Sequence, residues 1–156
     1  MYDLDKKDRM VLEELQKDSR QSTRELGKKI KMPATTVHQR IRRLVEKGII
    51  KSFSIVIDPE KIDLPTTAII LVKRAIGRKG KIRHENIGEA LAKVPEVQEV
   101  YVVTGEWDAV LKVRGRSERE IGKWVVDTLW NMPEVERTLT FFVFHKSKES
   151  HALHIR

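Results

Sequence analysis

At 156 residues, 40% of them hydrophobic and none cysteine, the chain can bury one ordinary core or two small ones, and disulfides, cysteine-ligated zinc and thiol catalysis are excluded together. No run approaches the roughly 18 consecutive apolar residues of a membrane helix, and the acidic start Met1-Tyr2-Asp3-Leu4-Asp5 lacks a secretory signal's basic-then-apolar pattern, so a cytoplasmic protein with no membrane partner is expected. The formal net charge is +8, and 35% of the residues are charged against about 25% in a typical domain, so where that excess sits becomes informative.

Up to about Gly48 the pattern predicts helices. Leu4, Val11, Leu12 and Leu15 recur at helical spacing, with Asp3 or Asp5 as N-cap. Ser22-Thr23-Arg24-Glu25 matches the capping box, in which hydroxyl and carboxylate each satisfy an otherwise orphaned backbone N–H. It opens a short helix that buries Leu26 and Ile30. Lys31-Met32-Pro33 breaks the pattern, and a third helix starts at about Ala34 with Val37, Ile41, Leu44 and Val45 on one face. Gly48 is placed as its left-handed C-terminal residue. These are helix-turn-helix proportions.

The excess charge lies here. From Arg20 to Lys51 there are ten Lys or Arg and two acids, whereas the other 124 residues hold 21 bases and 21 acids. A solubility device would be spread over the surface; a net of +8 in one segment points to a polyanion. A step of about 100° per residue turns Val37, Ile41 and Leu44 inward and Thr35, His38, Gln39 and Arg42 outward. Those residue types suit base edges in the major groove, and Thr36 lies near enough to the helix start to join them. Arg24, Lys28, Lys31, Arg40 and Arg43 are expected at phosphates, which give affinity but no sequence information. The expected partner is double-stranded DNA.

A connecting strand is predicted over Ile49 to Ile57, ended by Asp58-Pro59, and Ile62-Asp63-Leu64-Pro65 completes a linker. The division is therefore residues 1–50, a connection over 51–65, and a second module over 66–156. That module reads as a strand (Thr66–Arg74), a Gly/Lys-rich loop, a helix (about Arg83–Lys93), a strand (about Val97–Thr104) and a tight turn at Gly105-Glu106-Trp107-Asp108. A strand (Ala109–Arg114), a helix (Ser117–Asn131) headed by a second capping box, Ser117 with Glu120, and a strand (Val135–His145) follow. The sum is α+β: a winged-helix-like helix-turn-helix domain, then a ferredoxin-like βαββαβ domain.

Both faces of these strands are apolar: Ile69/Leu71 with Ile70/Val72, Val100/Val102 with Tyr101/Val103, and Leu139/Phe141/Val143 with Phe142/Phe144. Helices cover one face; the simplest cover for the other is the same sheet of a second copy, so a homodimer is expected.

Leu4-Asp5-Lys6-Lys7-Asp8-Arg9-Met10-Val11-Leu12 and the run Thr36 to Ile50, together with Val56-Ile57-Asp58-Pro59, Val103-Thr104-Gly105-Glu106-Trp107-Asp108 and Val135 to Thr140, closely resemble the Lrp/AsnC family, the feast/famine regulatory proteins. The resemblance runs nearly end to end. It implies a transcriptional regulator whose C-terminal domain binds small effectors, typically amino acids, and drives assembly into dimers, tetramers or octamers. The effector position it implies is Thr104, Gly105, Glu106, Trp107 and Asp108, with Thr138 and Thr140 on the last strand. Chemically, Gly105 allows close backbone approach, Asp108 suits an α-ammonium, and the threonine hydroxyls suit a carboxylate. One departure is Pro33, where the family usually has a Ser or Thr cap.

Two alternatives stand beside this reading. One is an architectural DNA binder with little sequence preference. The other is an enzyme, since a branch of the superfamily resembles siroheme decarboxylases and the chain has His84, His145, His151 and His154. None of these lies at zincin spacing, and Gly77-Arg78-Lys79-Gly80 lacks the Walker pattern, so no catalytic activity, cofactor or metal is expected.

Overall fold

The computed structural model describes residues 3–75 and 84–155; the Gly/Lys-rich loop with Gly77-Arg78-Lys79-Gly80, and the side chains of His84, Glu85 and Asn86, lie outside the described set. The chain divides into two compact units, Met1–Val56 together with Lys148–Arg156, and Ile57–Ser147.

The first unit holds α1 (Lys6–Lys17), α2 (Thr23–Lys29) and α3 (Ala34–Glu46). Of the two candidate caps for α1, Asp5 serves, its carboxylate accepting the Asp8 N–H at 2.8 Å. At α2 both halves of the capping box form: the Glu25 N–H donates to Ser22 Oγ and the Ser22 N–H donates to Glu25 Oε2. The hydrogen bond from the Ser22 backbone holds the Glu25 carboxyl below its ordinary range. Val11, Leu26, Ile30, Met32, Val37 and Leu44 form the core. Val45, expected on the inward face, is exposed, because it falls one helical step past Leu44 at the margin of the apolar stripe.

The turn between α2 and α3 is tight. Lys31 takes a left-handed conformation (φ +53°), and the Met32 N–H donates to the Gly27 carbonyl at 2.8 Å. Gly27 is required there, since a Cβ would stand 2.4 Å from the Met32 carbonyl oxygen. Pro33 occupies the N-cap of α3 and supplies no side-chain cap, yet the helix starts at Ala34. Pro33 is tolerated because its missing N–H would lie among those that have no partner at a helix start. At the far end Gly48 (φ +68°) closes the helix, and the Ile49 and Ile50 N–H groups both donate to the Leu44 carbonyl.

The strand expected over Ile49–Ile57 does not form: residues 51–58 have no regular structure, and Phe53, Ile55, Val56 and Ile57 are exposed. Its alternating apolar residues favour an extended chain, but a strand needs a hydrogen-bonded neighbour, and among the described residues none pairs with it. The tail returns to the first unit, where the Gln16 side-chain amide grips the Leu153 backbone twice: the Leu153 N–H donates to Oε1 at 2.6 Å and Nε2 donates to the Leu153 carbonyl at 3.1 Å.

The second unit is β1 (Thr66–Arg74), α4 (His84–Ala92), β2 (Val97–Val102), β3 (Ala109–Gly115), α5 (Glu118–Asp127) and β4 (Val135–Phe142), in an antiparallel sheet of order β2-β3-β1-β4. Ala68, Ile70 and Val72 of β1 and Ala109, Leu111 and Val113 of β3 pack against Ile87, Leu91, Ile121, Val125 and Leu129. The helix expected over Ser117–Asn131 divides into α5 and a 3-10 turn, Leu129–Asn131. Its capping box is only half formed: the Glu120 N–H donates to Ser117 Oγ, but the Glu120 carboxylate accepts from the Arg116 N–H, one residue further back. β4 stops at Phe142, so Val143 and Phe144 lie beyond it and Phe144 is fully exposed.

On the opposite face of the sheet, Tyr101, Val110, Leu71 and Leu139 stand in register as one row across all four strands. Ile69 and Phe141 extend it, while Lys112, Glu99 and Arg114 lie at one end and Lys73 and Arg137 at the other. The apolar part of this face is thus a belt with charged margins.

Gly27→Ala is expected to lower the thermal midpoint measured by circular dichroism, at a cost of about 1–3 kcal/mol from the clash with backbone. Gly122→Ala on α5, where a Cβ meets nothing within 4 Å, is expected to raise the midpoint through about 0.5–1 kcal/mol of added stability.

Candidate nucleic-acid interface and effector turn

α3 presents Thr35, His38, Gln39 and Arg42 to solvent, while Val37 and Leu44 are buried and Thr36 is half-buried. The first turn of α3 carries no acidic side chain, so its free N–H groups and the positive end of the helix dipole favour an anion. Arg24, Lys28 and Lys31 are exposed on α2 and the turn. Arg42 pairs with Glu46 one helical turn on, at 2.7 Å, a surface contact that a better partner can displace.

Arg40 and Arg43, expected among the phosphate contacts, are engaged inside the unit. Arg40 Nη1 donates to Asp5 at 2.7 and 2.8 Å and to Asp8 at 2.7 Å. Arg43 Nη2 lies 2.9 Å from both Asp8 oxygens. Asp8 is 1% exposed, the Arg40 side chain 17% and the Arg43 side chain 44%, so Arg40 is a structural tie whereas Arg43 still reaches solvent. The Arg40 hydrogen bond holds the Asp5 carboxyl below its ordinary value, and the same bond raises Arg40. Asp8 is the member of this cluster that residue patterning passes over; α1 carries it at a position where helical phase alone shows an ordinary polar residue.

In the second unit, residues 104–108 turn the chain from β2 into β3. Thr104, Gly105 and Glu106 are exposed, and Gly105 has φ +117°, a conformation that needs glycine. Asp108 points inward. Its carboxylate accepts the Arg74 N–H at 3.0 Å and pairs with Lys73 Nζ at 3.1 Å. Burial pushes this carboxyl up, but the Arg74 N–H and the Lys73 ammonium outweigh it and hold it below its ordinary value. Lys73 also donates to the Glu106 carbonyl, and Arg137 bonds the Glu106 carboxylate at 3.0 Å while its guanidinium lies 4.7 Å from the Trp107 ring centroid. The turn is therefore held by two cations, Lys73 and Arg137, that residue patterning does not single out; for Lys73 the signal is a charge near the end of an apolar strand.

Thr138 and Thr140 are opposite Val72 and Ile70 in the register, on the helix-covered side, whereas Arg137 lies opposite Lys73 on the other face. The Thr138 hydroxyl accepts the Trp130 indole N–H at 3.0 Å. Within this chain the two threonines thus do not converge with Arg137, and Asp108 is already paired. His145, His151 and His154 are exposed, and among the described residues no three His, Asp or Glu side chains gather as a metal would require. Among the same residues no helix is long and apolar enough to cross a membrane.

Comparisons with known proteins match both units. Residues 4–51 fit the family described as winged helix-turn-helix DNA-binding, and residues 67–153 the family described as the Lrp/AsnC ligand binding domain. The chain is 42% identical over 146 residues to an uncharacterised HTH-type transcriptional regulator of Pyrococcus furiosus, covering 94% of this chain and 96% of that one. It is 33% identical to the leucine-responsive regulatory protein of Klebsiella pneumoniae over 99% of this chain and 93% of that one. Among solved structures, a transcriptional regulator of Neisseria meningitidis in complex with L-Met superposes with a TM-score of 0.89, at 28% identity over 97% of both chains. These relatives are regulators of transcription rather than enzymes.

Asp108→Ala is expected to lower the thermal midpoint at neutral pH. Because the folded carboxyl titrates below the ordinary value of 3.8, its contribution is complete above that value and is lost as pH falls through the folded one. The difference in midpoint between wild type and variant, followed by calorimetry, is expected to shrink on acidification.

Proposed function

The chain belongs to the Lrp/AsnC family of transcriptional regulators, and on that footing we propose that it is a sequence-selective, homodimeric DNA-binding regulator that answers to a small effector of the amino-acid class. The observation that carries the reading is the basic segment Arg20–Lys51 folded so that Thr35, His38, Gln39 and Arg42 face solvent together on α3. In this reading the α3 side chains Thr35, Thr36, His38, Gln39 and Arg42 read base edges, and Arg24, Lys28, Lys31 and Arg43 meet phosphates. Arg40 supports them from within, tied to Asp5 and Asp8.

The dimer forms through the open face of the sheet. The row Tyr101–Val110–Leu71–Leu139 is apolar, no helix among the described residues covers it, and a second copy offers the same row with the same charged margins. Two-fold symmetry then presents two α3 helices to a palindromic site. The effector meets residues 104–108. Gly105 lets its backbone approach, and the α-ammonium meets Glu106 rather than Asp108: β1 holds the Asp108 carboxylate, whereas the Glu106 contact with Arg137 is an exposed one that an incoming charge can share. An amino-acid effector is supported by the Neisseria regulator solved with L-Met and by the relative named leucine-responsive. Thr138 and Thr140 would join such a site only from the other face of β4.

Selection of genomic fragments with the purified protein, with and without an amino-acid mixture, tests the whole reading. Enriched fragments sharing a palindrome, changed by the mixture, are expected; equal affinity for selected and random DNA at fixed salt identifies an architectural binder instead. Gln39→Ala is expected to weaken binding at preferred sites by about 1–3 kcal/mol and to spare random DNA. Lys28→Ala is expected to weaken binding on all DNA and to reduce the slope of log K against log salt by about one. Leu139→Glu, which puts a charge in the apolar row, is expected to give a monomer by light scattering.

A further inference from the structure

We propose that Asp8 is a positioning residue for DNA binding: the carboxylate shared by Arg40 and Arg43 fixes the guanidinium of Arg43 where it meets a phosphate. This rests on the DNA-binding reading above and goes beyond it by giving an acidic residue of α1 a task in the interface. Asp8 is the one charged side chain buried among the described residues. Arg40 and Arg43 are three residues apart, on one face of α3, and both reach it, Arg40 at 2.7 Å and Arg43 at 2.9 Å to each oxygen.

The two arginines differ in what remains. Arg40 also bridges to Asp5, and its side chain is 17% exposed; the Arg43 side chain, at 44%, is far more open to solvent. An arginine on a helix surface samples many rotamers, and freezing one upon contact opposes binding. Here the rotamer is set before DNA arrives, from behind, by a carboxylate that α1 and the Asp5 cap hold in place. The same carboxylate is a negative charge packed against the basic segment Arg20–Lys51. Coulomb's law alone would make its removal tighten DNA binding, so the sign of the change separates the two effects.

The test is fluorescence anisotropy of wild type, Asp8→Asn, Arg43→Ala, Arg43→Lys and Asp8→Asn/Arg43→Ala on a labelled duplex of random sequence, titrated with salt. For Asp8→Asn we expect affinity to fall roughly fivefold at physiological salt and the salt slope to drop by about one, as the loss of one phosphate contact requires. The double variant is expected to bind no more weakly than Arg43→Ala, because both changes act through one guanidinium. A loosening of the whole of α3 would instead lower affinity further in the double variant, and that additivity, like tighter or unchanged binding by Asp8→Asn, overturns the inference. Circular dichroism on the same samples establishes which variants fold. If Asp8→Asn does not, Arg43→Lys decides: the charge is kept but the planar guanidinium, which can hold Asp8 through Nη2 and still offer its other N–H groups to a phosphate, is lost, so less than half of the logarithmic loss caused by Arg43→Ala is expected to return. Full recovery overturns the inference. Absence of salt-dependent binding by wild type overturns the DNA-binding reading itself and this inference with it, whereas wild-type binding with an unchanged Asp8→Asn removes only the positioning role.

Discussion

A carboxylate with almost no solvent is the constraint around which the first unit is arranged. A buried carboxylate needs counter-charges, and α3 brings two guanidiniums to Asp8 while Asp5 caps α1 and binds Arg40 at the same time. Such clusters add little net stability when compared with an apolar replacement of the same shape, but removing one member of a buried pair costs about 3–5 kcal/mol. Their effect is therefore one of arrangement: the phase of α3 that places both arginines on Asp8 is the one that puts Val37 and Leu44 in the core and Gln39 in solvent, so the ion cluster and the apolar contacts agree.

A milder version of the same device recurs in the second unit. Asp108 fastens the start of β3 to the end of β1 through the Arg74 N–H and Lys73, and Lys73 and Arg137 then hold the backbone and side chain of Glu106. In both units a carboxylate carried by one element fixes the position of a neighbouring segment, and in both the residues left exposed are the ones that suit a ligand. The difference is dielectric: Asp8 is sealed, whereas Asp108 keeps part of its surface in water, so its ion pair is screened more.

What could be read from the sequence is what local chemistry determines. The Ser22–Glu25 box, Gly48 and the inward phase of Val37 and Leu44 depend on residues within a turn of one another, and each stands where spacing puts it. The order of elements in the second unit was legible for the same reason. What failed depends on partners far away in sequence. Asp8 meets Arg40 and Arg43 across 32 and 35 residues, and Asp108 meets Arg74 across 34, distances that no periodicity encodes. The strand expected at Ile49–Ile57 has the composition of one but finds no neighbour among the described residues of this chain. The faces of Thr138 and Thr140 follow from register with Val72 and Ile70, and a slip of one residue would have reversed them.

The return of Lys148–Arg156 to the first unit has a consequence for how the protein can be dissected. The helix-turn-helix unit is discontinuous in sequence: its helices come from the beginning of the chain, and the backbone that satisfies the Gln16 amide comes from Leu153. A fragment ending near residue 56 is therefore an incomplete fold, deprived of a segment that is remote in sequence but native to it. A fragment starting there is the reverse, since it carries a tail whose docking surface has been left behind.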